Sequence, residues 1–111
     1  MSQRVAKVES VIQAVIAPAL LELLEADGTS VTVTRVDAAP DLRNVSVWVG
    51  LLGKPAQSDR IWARIMGLRP ELQRRVSATM TTRYAPVIHL KRDSGGEYSE
   101  KIERLLAGLD T

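Results

Sequence analysis

Residues 44–52 read Asn-Val-Ser-Val-Trp-Val-Gly-Leu-Leu, with Val45, Val47, Val49 and Leu51 at every second position and Ser46, Trp48 and Gly50 between them. Successive side chains of a strand point to opposite faces, so this run is a strand with one covered face and one wetter face. A sheet built on it needs a single apolar layer against the Val45 side. Residues 30–37, Ser-Val-Thr-Val-Thr-Arg-Val-Asp, are rich in β-branched residues and predict a neighbouring strand. Its alternation slips between Val33 and Val36, the signature of a bulge. The short linker at 38–43 contains Pro40 and Asp41, which predicts a hairpin.

The covering layer is legible as helical periodicity. Val5, Val8, Ile12, Val15, Ile16, Ala19, Leu20 and Leu23 recur at steps of three and four, predicting a helix over about 3–25 that Pro18 should kink and Asp27-Gly28 should close. Ile61, Ile65, Leu68, Leu72 and Val76 make a second stripe, interrupted by Gly67 and Pro70. Proline disfavours α conformation in the residue before it, so this stripe predicts two helices meeting at a kink, the second opening with Pro70 and Glu71. Gly53-Lys54-Pro55 is read as the end of the strand and Ser58 as the N-cap of the first helix of the pair. Residues 87–91 predict a third strand with Ile88 and Leu90 inward. Residues 98–109 predict a short acidic helix after a flexible turn at 93–96.

The order is helix, strand, strand, helix, kinked helix, strand: an α+β domain with a three-stranded sheet and helices on one face. A chain of 111 residues accommodates one such core. We assign residues 1–93 to the domain and 94–111 to an acidic C-terminal helix or tail. The element order is that of a type II K-homology-like domain, whose nucleic-acid site lies at the turn between its adjacent helices.

Charge is distributed unevenly. Residues 60–92 carry Arg60, Arg64, Arg69, Arg74, Arg75, Arg83, Lys91 and Arg92 against the lone Glu71, a balance of +7 within a chain of net charge +2. Residues 1–59 balance to −2 and 93–111 to −3. Arginine's planar fork matches phosphate oxygens, so the block points to a polyanionic partner, nucleic acid ahead of a membrane surface. The alternative is a solvated helix face. Trp48 could stack on an unpaired base or lie under the C-terminal helix; Trp62 is read as packing at a helix edge.

Several chemistries are disfavoured. The chain has no cysteine and one histidine, which excludes thiolate metal sites, histidine clusters and disulfides. No nucleophile motif is present, so no catalytic residue, metal or cofactor is expected. The longest uncharged run, residues 10–21, is too short to span a bilayer. We expect a cytoplasmic protein without a membrane or small-molecule partner.

The residues also resemble a family. The opening RVAKVESVIQ, the run VTVTRVDAAPDLRNVSVWVGLLG, the stretch GLRPELQRRV, the segment RYAPVIHLKRD and the ending GGEYSEKIERLL are similar, in order and spacing, to ribosome-binding factor A. The features that carry the resemblance are Arg35-Val36, Asp41-Leu42-Arg43, Leu68-Arg69 with Glu71-Leu72, Arg83 with Pro86, and Asp93. The resemblance implies a monomeric, non-enzymatic factor of bacterial or organellar type. It would bind the immature small ribosomal subunit and its ribosomal RNA and assist late maturation. The expected RNA-binding set is Arg60, Arg64, Gly67, Arg69, Arg74, Arg75, Arg83, Lys91 and Arg92. One departure concerns the family's Ala-x-Gly kink: Met66 stands where its glycine belongs, with Gly67 one place later and Pro70 beyond it. Two other readings stay open at this point, a general nucleic-acid-binding module and a small protein-interaction subunit.

Overall fold

The computed structural model describes residues 3–24, 29–80 and 85–93. Its elements run α1 (Gln3–Leu23), β1 (Ser30–Ala38), β2 (Asn44–Leu52), α2 (Pro55–Gly67), α3 (Arg69–Thr79) and β3 (Val87–Arg92). The expected closing residues of α1, Asp27 and Gly28, the C-terminal helix at 98–109 and Arg83 lie outside the described residues.

The strands form one sheet in the order β1-β2-β3. β1 and β2 pair antiparallel through the expected hairpin, and the register shifts between Val33 and Arg35 where the alternation slipped. The extra residue is Thr34. Its hydroxyl donates to the Asp93 carboxylate at 2.9 Å, and the Asp93 amide donates to the Val49 carbonyl at 2.8 Å. The bulge thereby anchors the end of β3, and Asp93 is only 3% exposed.

β3 runs parallel to β2, with Val45 beside Ile88 and Val47 beside Leu90. A parallel pair needs a crossover connection, and α2 with α3 supplies it. The amide of Gln73 on α3 fastens the crossover, donating to the Pro86 carbonyl at 2.8 Å and accepting from the Ile88 amide at 2.9 Å.

All three helices lie on the Val45 side. α1 lies along β1 and against α3, α2 against β2, and α3 against β3. Ile12, Ile16, Val45, Val47, Val49, Ile65, Leu72, Val76 and Ile88 are fully buried. Each such side chain contributes roughly 1.5–3 kcal/mol on leaving water, so the interlocked stripes of strand and helix carry the stability. Pro18 lies inside α1, and buried positions continue on both sides of it at Ile16 and Ala19.

The start of α2 differs from expectation. Lys54 is the cap residue and Pro55 opens the helix, three residues ahead of Ser58. Proline's fixed φ suits a first helical turn, where an amide donor has no partner to lose. Ser58 instead faces inward beside Ile61 and Ile65, 4% exposed, and its Oγ makes no hydrogen bond.

Candidate nucleic-acid interface

The break expected between Gly67 and Pro70 falls on Leu68, with φ −87° and ψ −4°. This bridge-region conformation ends α2 and opens α3 in a single residue. The Leu68 amide still donates to the carbonyls of Arg64 and Ile65, at 3.1 and 3.0 Å, and its carbonyl accepts from Leu72 at 2.9 Å. Arg69 and Pro70 occupy the first turn of α3, where Pro70 lacks a donor that the helix does not need. Gly67 is helical, and a Cβ built on it would meet nothing within 4 Å. The joint therefore owes its geometry to Leu68 and Pro70, with no left-handed glycine.

Because Ser58, Ile61 and Ile65 face the sheet, Arg60 and Arg64 fall on the exposed face of α2. They are one turn apart and lead toward the joint, where Met66 is 43% exposed and Gly67 is open. Arg69 follows at once, half-buried. Arg64, Gly67 and Arg69 thus flank the joint, with Arg60 one turn further back along α2. Arg60 and Arg69 make no ion pair among the described residues.

The remaining cations of the expected set are deployed differently. Arg74 grips Glu71 with two hydrogen bonds, Nη2–Oε1 at 2.6 Å and Nε–Oε2 at 2.9 Å. Arg75 donates to Glu71 Oε1 at 3.2 Å and to Glu22 on α1 at 3.0 Å. Arg74 is exposed, whereas Arg75 is half-buried and ties α3 to α1. Hydrogen bonds from Arg74 and then Arg75 pull the Glu71 carboxyl from its ordinary 4.5 to about 2. The Arg75 guanidinium likewise lowers Glu22, and both arginines are raised in return. At neutral pH these four groups are fully ionised and cancel.

Arg92 reaches back to Asp59 on α2 at 2.7 Å, clamping the end of β3 beneath the helix. Lys91 faces the other side of the sheet, its ammonium 5.2 Å from the centre of the Trp48 ring, a cation–π contact. His89 shares that side and bonds Asn44 Oδ1 at 2.9 Å. The expected set is thereby divided: a group at the joint, a neutralised pair on α3, one anchor and one residue on the opposite face. Trp62 packs against the core as expected.

Among the described residues no three metal-ligating side chains converge, and no helix is long and apolar enough to cross a membrane.

A helix–joint–helix pair crossing between parallel strands, with arginines at the joint, defines a type II K-homology-like α+β domain. The chain belongs to the ribosome-binding factor A family, whose sequence profile matches residues 4–106. Ribosome-binding factor A of Oenococcus oeni is 31% identical over 111 residues, covering 98% of this chain and 92% of the relative. That of Thermomicrobium roseum is 33% identical over 76 residues, so the matched stretch spans 59% of that relative's length. In three dimensions the chain is similar to a Thermotoga maritima protein described as a candidate ribosome binding factor A. The TM-score is 0.69 with 28% identity, over 87% of this chain and 93% of the other. The crystal structure of ribosome-binding factor A from Thermus thermophilus shares the fold, with a TM-score of 0.61 and 18% identity over 79% and 93% of the two chains. The family is ribosome-associated and non-catalytic.

Proposed function

We propose that the chain docks on the immature small ribosomal subunit through its ribosomal RNA and assists late maturation, acting as a cytoplasmic monomer. Binding energy alone performs the work. Arg60, Arg64 and Arg69 contact phosphates, and the open backbone at Gly67 lets the RNA approach the joint. Arg74 adds a contact if a phosphate replaces Glu71.

The observation that supports this reading is the charge sorting of the basic block in a chain of ribosome-binding lineage. Acidic side chains neutralise Arg74, Arg75 and Arg92, whereas Arg60 and Arg69, on either side of the joint, make no ion pair among the described residues.

Sedimentation with purified small subunits across a salt series tests it. Each phosphate contact contributes a log–log slope of about −0.7 to −0.9. Replacing Arg60 and Arg64 together by alanine should weaken binding and flatten the slope by about one to two units. Unchanged binding at every salt concentration would refute it. Equal competition by duplex DNA would favour a general nucleic-acid module instead.

A further inference from the structure

At the end of α3 remote from the joint, the first turns of α1, the turn at 39–43 and the last turn of α3 enclose a cleft of about 260 Å³. Val8, Val11, Leu42 and Met80 make its apolar floor, and Arg4 and Lys7 stand on its rim. The two cations are three residues apart on α1 and therefore share one helix face. Thr79 also lines the cleft, but its hydroxyl donates to the Arg75 carbonyl at 2.9 Å.

Leu42 is strained. Its φ of 60° makes it the one left-handed non-glycine among the described residues, a conformation that crowds Cβ against the backbone and is costly for any residue with a side chain. Three bonds hold it there: Leu42 N to the Ala39 carbonyl at 2.9 Å, Arg43 N to Asp41 Oδ1 at 3.0 Å, and Ala38 N to Glu9 Oε2 at 2.8 Å. The last ties the end of β1 to α1. Strain retained in this way, delivering an apolar side chain to a half-open floor under two cations, marks a built recess.

We propose that this cleft takes one unpaired nucleotide of an RNA strand, its base against Leu42, Met80, Val8 and Val11 and its flanking phosphates on Arg4 and Lys7. The inference rests on the reading that the chain binds RNA. The volume falls below the roughly 300–1,000 Å³ of clefts that hold drug-sized molecules, which suits a single base and part of its sugar. An amphipathic helix would need a row of anchors along a groove, and this recess offers one. Single-stranded RNA presents splayed bases, whereas a duplex cannot. An apolar floor without a base-edge partner makes the site tolerant of sequence. α3 has 11 residues and is about 16 Å long, so one RNA can reach both the joint and the cleft.

The test uses the full chain, a 12-nucleotide single-stranded RNA, and the same sequence as a duplex. Lys7→Glu and Val11→Glu should each weaken the single strand at least fivefold and leave duplex affinity within twofold. A single 4-thiouridine in the strand should photo-cross-link to peptides containing Leu42 or Met80. Lys7 is exposed, so its variant decides the matter if Val11→Glu fails to fold. If both variants bind the single strand like the parent while Arg60→Ala/Arg64→Ala does not, the cleft is not an RNA site and the joint reading stands. Variants that keep RNA affinity but lose small-subunit binding would assign the cleft to a protein segment and overturn the inference. A parent that binds neither RNA nor subunits overturns both readings.

Discussion

Replacing Gly67 by alanine isolates what the helix joint requires. Gly67 is the last residue of α2, outside the left-handed region, and an added methyl would meet nothing within 4 Å. Glycine inside a helix is less stable than alanine by about 0.5–1 kcal/mol, chiefly because its unfolded chain has more freedom to lose. At a helix end the lower figure applies, so Gly67→Ala should stabilise the protein by about 0.5 kcal/mol. For a domain of this size 1 kcal/mol corresponds to roughly 4–8 °C, so Tm should rise by about 2–4 °C. Thermal unfolding followed by far-ultraviolet circular dichroism reads this directly. A fall of more than about 2 °C would refute the reasoning, because it would mean the joint resists a side chain there. The same variant separates folding from contact. If RNA backbone approaches Gly67 closely, small-subunit affinity should fall while Tm rises; undiminished affinity would remove Gly67 from the interface.

Ser58→Ala should be neutral or stabilising by up to about 1 kcal/mol, since it deletes a buried hydroxyl without a partner; a clear loss in a urea titration would mean that the hydroxyl caps the helix after all. Glu71 has a folded pKa below its unfolded one, so its contribution is complete above pH 4.5 and is lost as pH falls toward about 2. Glu71→Gln should therefore flatten the decline of the urea midpoint between those values, and coincident pH profiles would refute the pairing. Because Arg75 joins α3 to Glu22 on α1, Arg75→Ala should lower Tm more than Arg74→Ala, and the reverse order would place the tie elsewhere. Ile65→Ala empties a fully buried site between α2 and the sheet and should cost about 2–5 kcal/mol; a smaller loss would mean that α2 packs loosely.

What the sequence determined by itself was everything carried by short-range periodicity. The alternation of Val45, Val47 and Val49 specified the covered face of β2. The slip after Val33 specified the bulge, and the stripe broken at Gly67 and Pro70 specified two helices instead of one. These signals lie within a few residues of one another, where backbone geometry alone decides which side chains share a face. Ser58 misled because its polar side chain suits a cap, whereas burial beside Ile61 and Ile65 and the Pro55 start override that preference. Only the tertiary structure decided which cations are available. Arg75 meets Glu22 across 53 positions and Arg92 meets Asp59 across 33, so counting charge by segment overstated the positive surface. Leu42 likewise reads as an ordinary apolar residue until Asp41, Ala39 and Glu9 are seen holding its turn against α1. Pairings of this kind depend on how whole elements pack, because side-chain hydrogen bonds and Coulomb attraction act over a few ångströms of space whatever the separation along the chain.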